Sequence, residues 1–148
     1  RSIGIEIDND GQTPFAEAAM EKLPVLLEDI LHRHHLPSEA VIGHQDMAPE
    51  RKNDPGILFD WQRLAEQGVS VWPDAPHAEP LKGAPADRSH WRQFKEAAAV
   101  FGYPQDVSDE ALLKAFRARF RSDNGYFDPM DTSLMMDLAR RFPAKSIA

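Results

Sequence analysis

Ser2-Ile3-Gly4-Ile5-Glu6-Ile7 (residues 2–7) places isoleucine at 3, 5 and 7 and sets Gly4 and Glu6 between them. Side chains alternate faces along a strand, so this spacing predicts a β-strand with one buried face and Glu6 on the other. Asp8-Asn9-Asp10-Gly11 follows as a run of turn formers that ends it. Thr13-Pro14 reads as a helix start, with Thr13 as cap and Pro14 in the first turn. Leu23, Leu26, Leu27, Ile30 and Leu31 then recur at the spacing of one helix face. Pro24 predicts a kink or restart within it, because proline removes an intrahelical bond. The helix is expected to stop by Leu36-Pro37. Val41-Ile42-Gly43 reads as a short second strand that delivers His44 into a polar loop. Asp60 reads as the cap of a helix to about Gln67, closed by Gly68. The order strand, helix, strand, loop, helix predicts an α/β unit over residues 1–73.

Composition changes beyond that unit. Pro73, Pro76, Pro80 and Pro85 crowd a stretch that can be neither helix interior nor central strand, so residues 74–89 read as a linker. Residues 90–148 read as a small all-α unit of three helices. The first runs from His90 to Phe101 and ends at Gly102 and Pro104. Ser108 caps the second, whose Leu112, Leu113, Phe116 and Phe120 form an apolar face, and Ser122-Asp123-Asn124-Gly125 is a loop after it. Asp131 or Thr132 is expected to cap the third, with Leu134, Met135 and Leu138 inward and Arg140-Arg141 at the end where cations suit the helix dipole.

The 148 residues carry a formal net charge of −7, all of it in residues 1–73, which hold 13 acidic and 6 basic side chains. A nucleic-acid partner needs a basic stripe, so that class is set aside. No apolar run is long enough for a transmembrane segment. The absence of cysteine removes disulfides, thiolate metal sites and cysteine nucleophiles together.

The chemistry concentrates in Gly43-His44-Gln45-Asp46-Met47-Ala48-Pro49-Glu50-Arg51-Lys52-Asn53-Asp54-Pro55-Gly56. A neutral imidazole at His44 and a carboxylate at Asp54 are both good zinc ligands. They meet only if the loop folds back, which Pro49 and Pro55 would stiffen. Lys52 places a cation near the same centre. On spacing alone, a His and an Asp in a polar loop are ordinary surface residues more often than ligands, and Lys52 reads as a surface lysine. His32 and His35 share a helix face with His34 beside them, but at a helix C-terminus, where solvated histidines are common.

Residues 43–56 resemble the signature loop of the type-2 amidase family, the zinc-dependent N-acetylmuramoyl-L-alanine amidases related to peptidoglycan recognition proteins. The pattern Gly-His-x-Asp-x-Ala-Pro-x-Arg-Lys-x-Asp-Pro-Gly is present at every fixed position. Ser2 to Glu6 is similar to the family's central strand, and Leu58-Phe59-Asp60-Trp61 to the segment after the loop. Residues 91–142 resemble, more loosely, an appended three-helix peptidoglycan-binding domain, through Phe101-Gly102-Tyr103 and Ala115-Phe116 to Phe120. The resemblance implies a mixed central sheet with flanking helices in residues 1–73. It implies a Zn2+ cofactor held by His44 and Asp54, Glu6 as general base and Lys52 as oxyanion stabiliser. The reaction implied is hydrolysis of the amide between N-acetylmuramic acid and L-alanine in a peptidoglycan or muropeptide substrate. The expected location is the periplasm or cell envelope, with a cytoplasmic recycling amidase as the alternative. The family's third ligand is an upstream His that nothing in residues 1–148 matches. The N-terminal portion of the same protein is therefore an expected partner. A non-catalytic peptidoglycan-binding protein is the alternative function, and the helical unit is expected to hold wall polymer without contributing a catalytic group.

Overall fold

A computed structural model describes residues 2–74, 87–121 and 125–144. Its elements are α1 (Glu17–His34), α2 (His44–Met47), α3 (Trp61–Glu66), α4 (Arg88–Phe101), α5 (Asp109–Phe120) and α6 (Pro129–Arg141), with a 3₁₀ turn at Ser38–Ala40. Among the described residues there is no strand and no sheet. This overturns the expected mixed central sheet and the α/β class. The alternation in residues 2–7 survives as a packing pattern, since Ile5 and Ile7 lie against an apolar core while Gly4, Glu6 and Asp8 are exposed. A strand also needs a ladder of backbone hydrogen bonds to a second strand, and no described segment supplies one. Val41-Ile42-Gly43 is likewise an unpaired link between the 3₁₀ turn and α2.

Helix α1 begins later than expected. Asp10 Oδ1 accepts from the Gln12 N–H, the Thr13 N–H and the Thr13 hydroxyl at 2.8–2.9 Å, so Thr13 completes a turn instead of capping a helix. Pro24 sits buried inside an unbroken α1. The inward face is Met20, Leu23 and Leu27, and Leu26 falls outside it. The helix stops at His35, which takes a left-handed conformation, while the Leu36 N–H donates back to the Leu31 carbonyl at 2.9 Å. That pattern satisfies carbonyls otherwise orphaned at a helix end. Phe59, Trp61, Leu64 and Val69 complete this first core. Asp60 caps α3 as expected, accepting from the Arg63 N–H at 3.0 Å.

The helices beyond residue 87 share a second core built on Phe94, Phe116, Leu134, Met135 and Leu138. Asp87 caps α4, Gly102 ends it at φ 115°, and Ser108 caps α5. The cap of α6 is Asp128, with Pro129 in the first turn, not Asp131 or Thr132. Those two are buried instead. Asp131 pairs with Arg117 at 2.7 Å and Thr132 donates to the His90 carbonyl at 3.1 Å. The expected linker falls largely on residues 75–86, and the Ser122-to-Gly125 loop mostly on 122–124; both stretches lie outside the described residues. The two cores meet at Val71, which is buried in the second, and at Trp72, which packs against both.

Candidate functional site

Gly43 opens the site because the returning chain presses on it. A Cβ there would lie 2.7 Å from Pro55 Cδ and 3.3 Å from both the Asp54 carbonyl and the Trp61 ring. From that crossing the loop closes on itself. The Gln45 N–H donates to the Asp54 carbonyl at 3.0 Å, and the Gly56 N–H donates to Gln45 Oε1 at 3.2 Å. Gln45 is itself buried. Between these ties α2 forms a single turn, and the N–H groups of Arg51 and Lys52 both donate to the Ala48 carbonyl. The fold-back brings His44 Nδ1 to 2.5 Å from Asp54 Oδ2, two side chains ten residues apart in sequence. Both keep an open side, with 43% and 56% of their side-chain surface exposed.

Burial pushes the Asp54 carboxyl up, but the His44 ring, its own backbone N–H and the charges of His44 and Lys52 outweigh this, leaving it below the ordinary carboxylate value. Lys52 is exposed, and its charge reaches Asp54. Glu6 is exposed, and among the described residues no hydrogen bond or ion pair ties it to His44, Lys52 or Asp54. The structure therefore brings together His44 and Asp54 and sets the Lys52 charge near them, while among the described residues Glu6 has no hydrogen bond or ion pair to the group. His32, His34 and His35 are exposed at the end of α1.

Beneath the exposed pair lies a buried anchor. Asp46 Oδ2 accepts from the Gly43 N–H at 2.8 Å and from Arg119 Nη1 at 2.9 Å, and Asp46 Oδ1 accepts from the Tyr103 hydroxyl at 3.0 Å. Arg119 Nη2 donates to the Val41 carbonyl at 2.8 Å. The guanidinium stacks between aromatic faces, 4.5 Å from the Trp61 ring centre and 4.8 Å from that of Phe120. Burial pushes the Tyr103 hydroxyl pKa well up, and the neighbouring Asp46 charge adds to this, so Tyr103 acts as a donor throughout the ordinary pH range. Glu50 accepts from the Ser108 N–H at 2.5 Å on the far side of the loop. Sequence reasoning gave no role to Arg119 or Asp46. The available signal was that Arg119 lies one turn beyond Phe116 on the apolar side of α5.

The donor set suits zinc in kind: one imidazole nitrogen and one carboxylate oxygen in contact on a tied loop. It is short in number, because catalytic zinc takes three protein ligands, and among the described residues no group of three His, Cys, Asp or Glu could hold a metal ion. His44 and Asp54 therefore fit as part of such a site.

Residues 1–57 match a family model described as N-acetylmuramoyl-L-alanine amidase. The N-acetylmuramoyl-L-alanine amidase AmiD of Escherichia coli strain K12 is 38% identical over 138 residues, covering 81% of this chain and 49% of AmiD. The 1,6-anhydro-N-acetylmuramyl-L-alanine amidase AmpD of Enterobacter cloacae is 44% identical over 63 residues, covering 43% of this chain and 34% of AmpD. Among solved structures, the complex of E. coli AmiD with anhydro-N-acetylmuramic acid-L-Ala-D-gamma-Glu-L-Lys matches with a TM-score of 0.75 at 35% identity, over 87% of this chain and 54% of that one. AMPDH3 from Pseudomonas aeruginosa, in complex with anhydromuramic pentapeptide, matches at 0.73 and 29% identity, over 93% of this chain and 59% of that one. The chain is thus a homologue of N-acetylmuramoyl-L-alanine amidases, and it spans about half the length of AmiD.

Proposed function

We propose that this chain is part of a zinc-dependent bacterial cell-wall amidase, hydrolysing the amide between N-acetylmuramic acid and the L-alanine of the stem peptide. The observation that carries the reading is the contact of His44 with Asp54 on a loop that folds back, within the residues matched by the amidase family model. His44 and Asp54 would hold the metal, with a third ligand from the N-terminal portion of the same protein. When bound there, zinc supplies Lewis-acid polarisation of the scissile carbonyl and a more acidic water.

The chain's own residues do the rest. Lys52, exposed beside Asp54, stabilises the oxygen that becomes anionic when water adds to the amide carbon. Glu6 takes the proton from the attacking water and returns it to the departing alanine nitrogen, which keeps the bond changes neutral overall. A muropeptide or peptidoglycan strand is the substrate class. The periplasm or cell envelope is the corresponding location, and no helix among the described residues is long and apolar enough to cross a membrane.

The test uses the full-length protein and a purified anhydromuramyl peptide, with the released peptide read by mass spectrometry and bound zinc by elemental analysis. Wild type should release a peptide beginning at L-alanine, and His44→Ala should lose both zinc and release. A wild-type protein that binds muropeptide but never releases peptide would be the non-catalytic binder, and the amidase reading would be wrong.

A further inference from the structure

Arg119 and Tyr103, both on the helical unit, grip the loop that carries His44 and Asp54, and we infer that they are positioning residues for the amide hydrolysis proposed above, a reading on which this one rests. One guanidinium holds the chain on both sides of His44, at the Val41 carbonyl before it (2.8 Å) and at Asp46 after it (2.9 Å). Tyr103 takes the second oxygen of the same carboxylate at 3.0 Å. The first oxygen also accepts the Gly43 N–H at 2.8 Å, so a fixed Asp46 fixes the turn on which His44 stands. The arrangement is enclosed, with the Arg119 side chain 0% and that of Asp46 5% exposed. Two charges buried this far resist displacement, because moving either leaves the other desolvated and unpaired. Ser108 adds a tie to Glu50 across the loop. A wall-holding module needs none of these buried bonds, since its polymer binds at its surface. The helical unit therefore does more than hold polymer, setting the geometry of the loop from below.

Outer groups that orient a metal ligand typically change metal affinity or activity by about 10- to 100-fold when removed. The full-length protein is compared as wild type, Arg119→Met, Arg119→Lys, Tyr103→Phe and Leu138→Ala. Leu138, in the core of the helical unit, is the control for general destabilisation. Zn2+ affinity by chelator competition is the readout independent of turnover, and kcat and KM are measured on a soluble anhydromuramyl peptide. Arg119→Met should weaken Zn2+ binding and lower kcat by about 10- to 100-fold with KM little changed, and Arg119→Lys should recover part of both. Leu138→Ala should lower Tm yet stay within about threefold of wild type in both readouts below its transition. If Arg119→Met does not fold, Tyr103→Phe, which removes only the hydroxyl, carries the test with a smaller loss in the same two quantities. The inference is overturned if the Arg119 and Tyr103 variants keep wild-type Zn2+ affinity and kcat, or if they fall no further than Leu138→Ala. A wild-type protein that neither binds Zn2+ nor releases peptide would instead overturn the amidase reading, and this inference with it.

Discussion

A single methyl group added at Gly43 should loosen the candidate site. The backbone there is ordinary, with φ −87°, so alanine meets no conformational barrier. By itself, Gly→Ala at a compatible position would stabilise by about 0.4–1 kcal/mol through the unfolded chain. Space decides the sign. The new Cβ would sit 2.7 Å from Pro55 Cδ, against about 3.5–4.0 Å for a comfortable carbon contact. Pro55 must therefore retreat by roughly 1 Å. The alternative is for Gly43 to move, but its N–H is bonded to Asp46, and the added Cβ would also lie 3.3 Å from the Trp61 ring and from the Asp54 carbonyl. Overpacking of this kind costs about 1–3 kcal/mol, so a net loss of about 1–2 kcal/mol is expected. The retreat also carries Asp54, the neighbour of Pro55, away from His44. Urea denaturation of the full-length protein measures the first effect, and Zn2+ affinity by chelator competition the second, with a drop of about tenfold expected. Gly4→Ala is the matched control, because nothing lies within 4 Å of its Cβ. If Gly43→Ala proves as stable as wild type and keeps its zinc, the close crossing of Gly43 and Pro55 is not what holds the loop.

Three further outcomes are expected. Lys52→Ala should lower kcat by about 100- to 1,000-fold while zinc stays bound, as loss of one oxyanion donor does; unchanged turnover on a muropeptide removes the assigned role. Glu6→Gln should likewise keep zinc and lose turnover, and loss of metal instead would make Glu6 a ligand or its support. In the helical unit, hydrogen bonds from Arg121 hold the Asp128 carboxyl below its ordinary value against a smaller desolvation effect, with the Arg121 charge and the Met130 and Asp131 N–H groups assisting. A depressed native pKa lends stability that is fully present above the unfolded value of about 3.9 and is lost as pH falls through the native one. Asp128→Asn should therefore lie below wild type in Tm at pH 7, with the gap beginning to narrow below about pH 4 and closing only once pH passes below the depressed native value. A gap that stays constant from pH 7 to pH 3 would show that charge is not its cause.

Local signals were legible and non-local ones were not. Asp60, Ser108 and Gly102 mark helix ends in the sequence as they do in the fold, because a cap is decided within four residues. Thr13 and Asp131 misled for a related reason. Each bears a polar group suited to a cap, but Asp10 engages the first, and the second is buried against Arg117. The isoleucine alternation reported a packing face faithfully. It could not report a ladder, which depends on a partner elsewhere in space. At the candidate site, the contact of His44 with Asp54 was suggested by a family pattern and not by spacing. Arg119 was invisible as an anchor, because a charged residue on an amphipathic helix is ordinarily solvated, and its partner Asp46 is 73 residues away.

Trp72 has a consequence for how such proteins are taken apart and recombined. It packs against both cores while its neighbour Val71 is buried in the second, so the seam between the halves runs through residues that precede the proline-rich stretch. A fragment cut at the composition change would leave the helices without Val71 and Trp72, and would leave Asp46 facing solvent where Arg119 had been. Transplanting the helical half onto one of the homologous amidases would then require Trp61, Asp46 and the 71–72 pair to travel with Arg119 and Tyr103 as one inherited block. Shuffling at the proline-rich stretch alone would produce chimaeras whose two halves meet with mismatched faces.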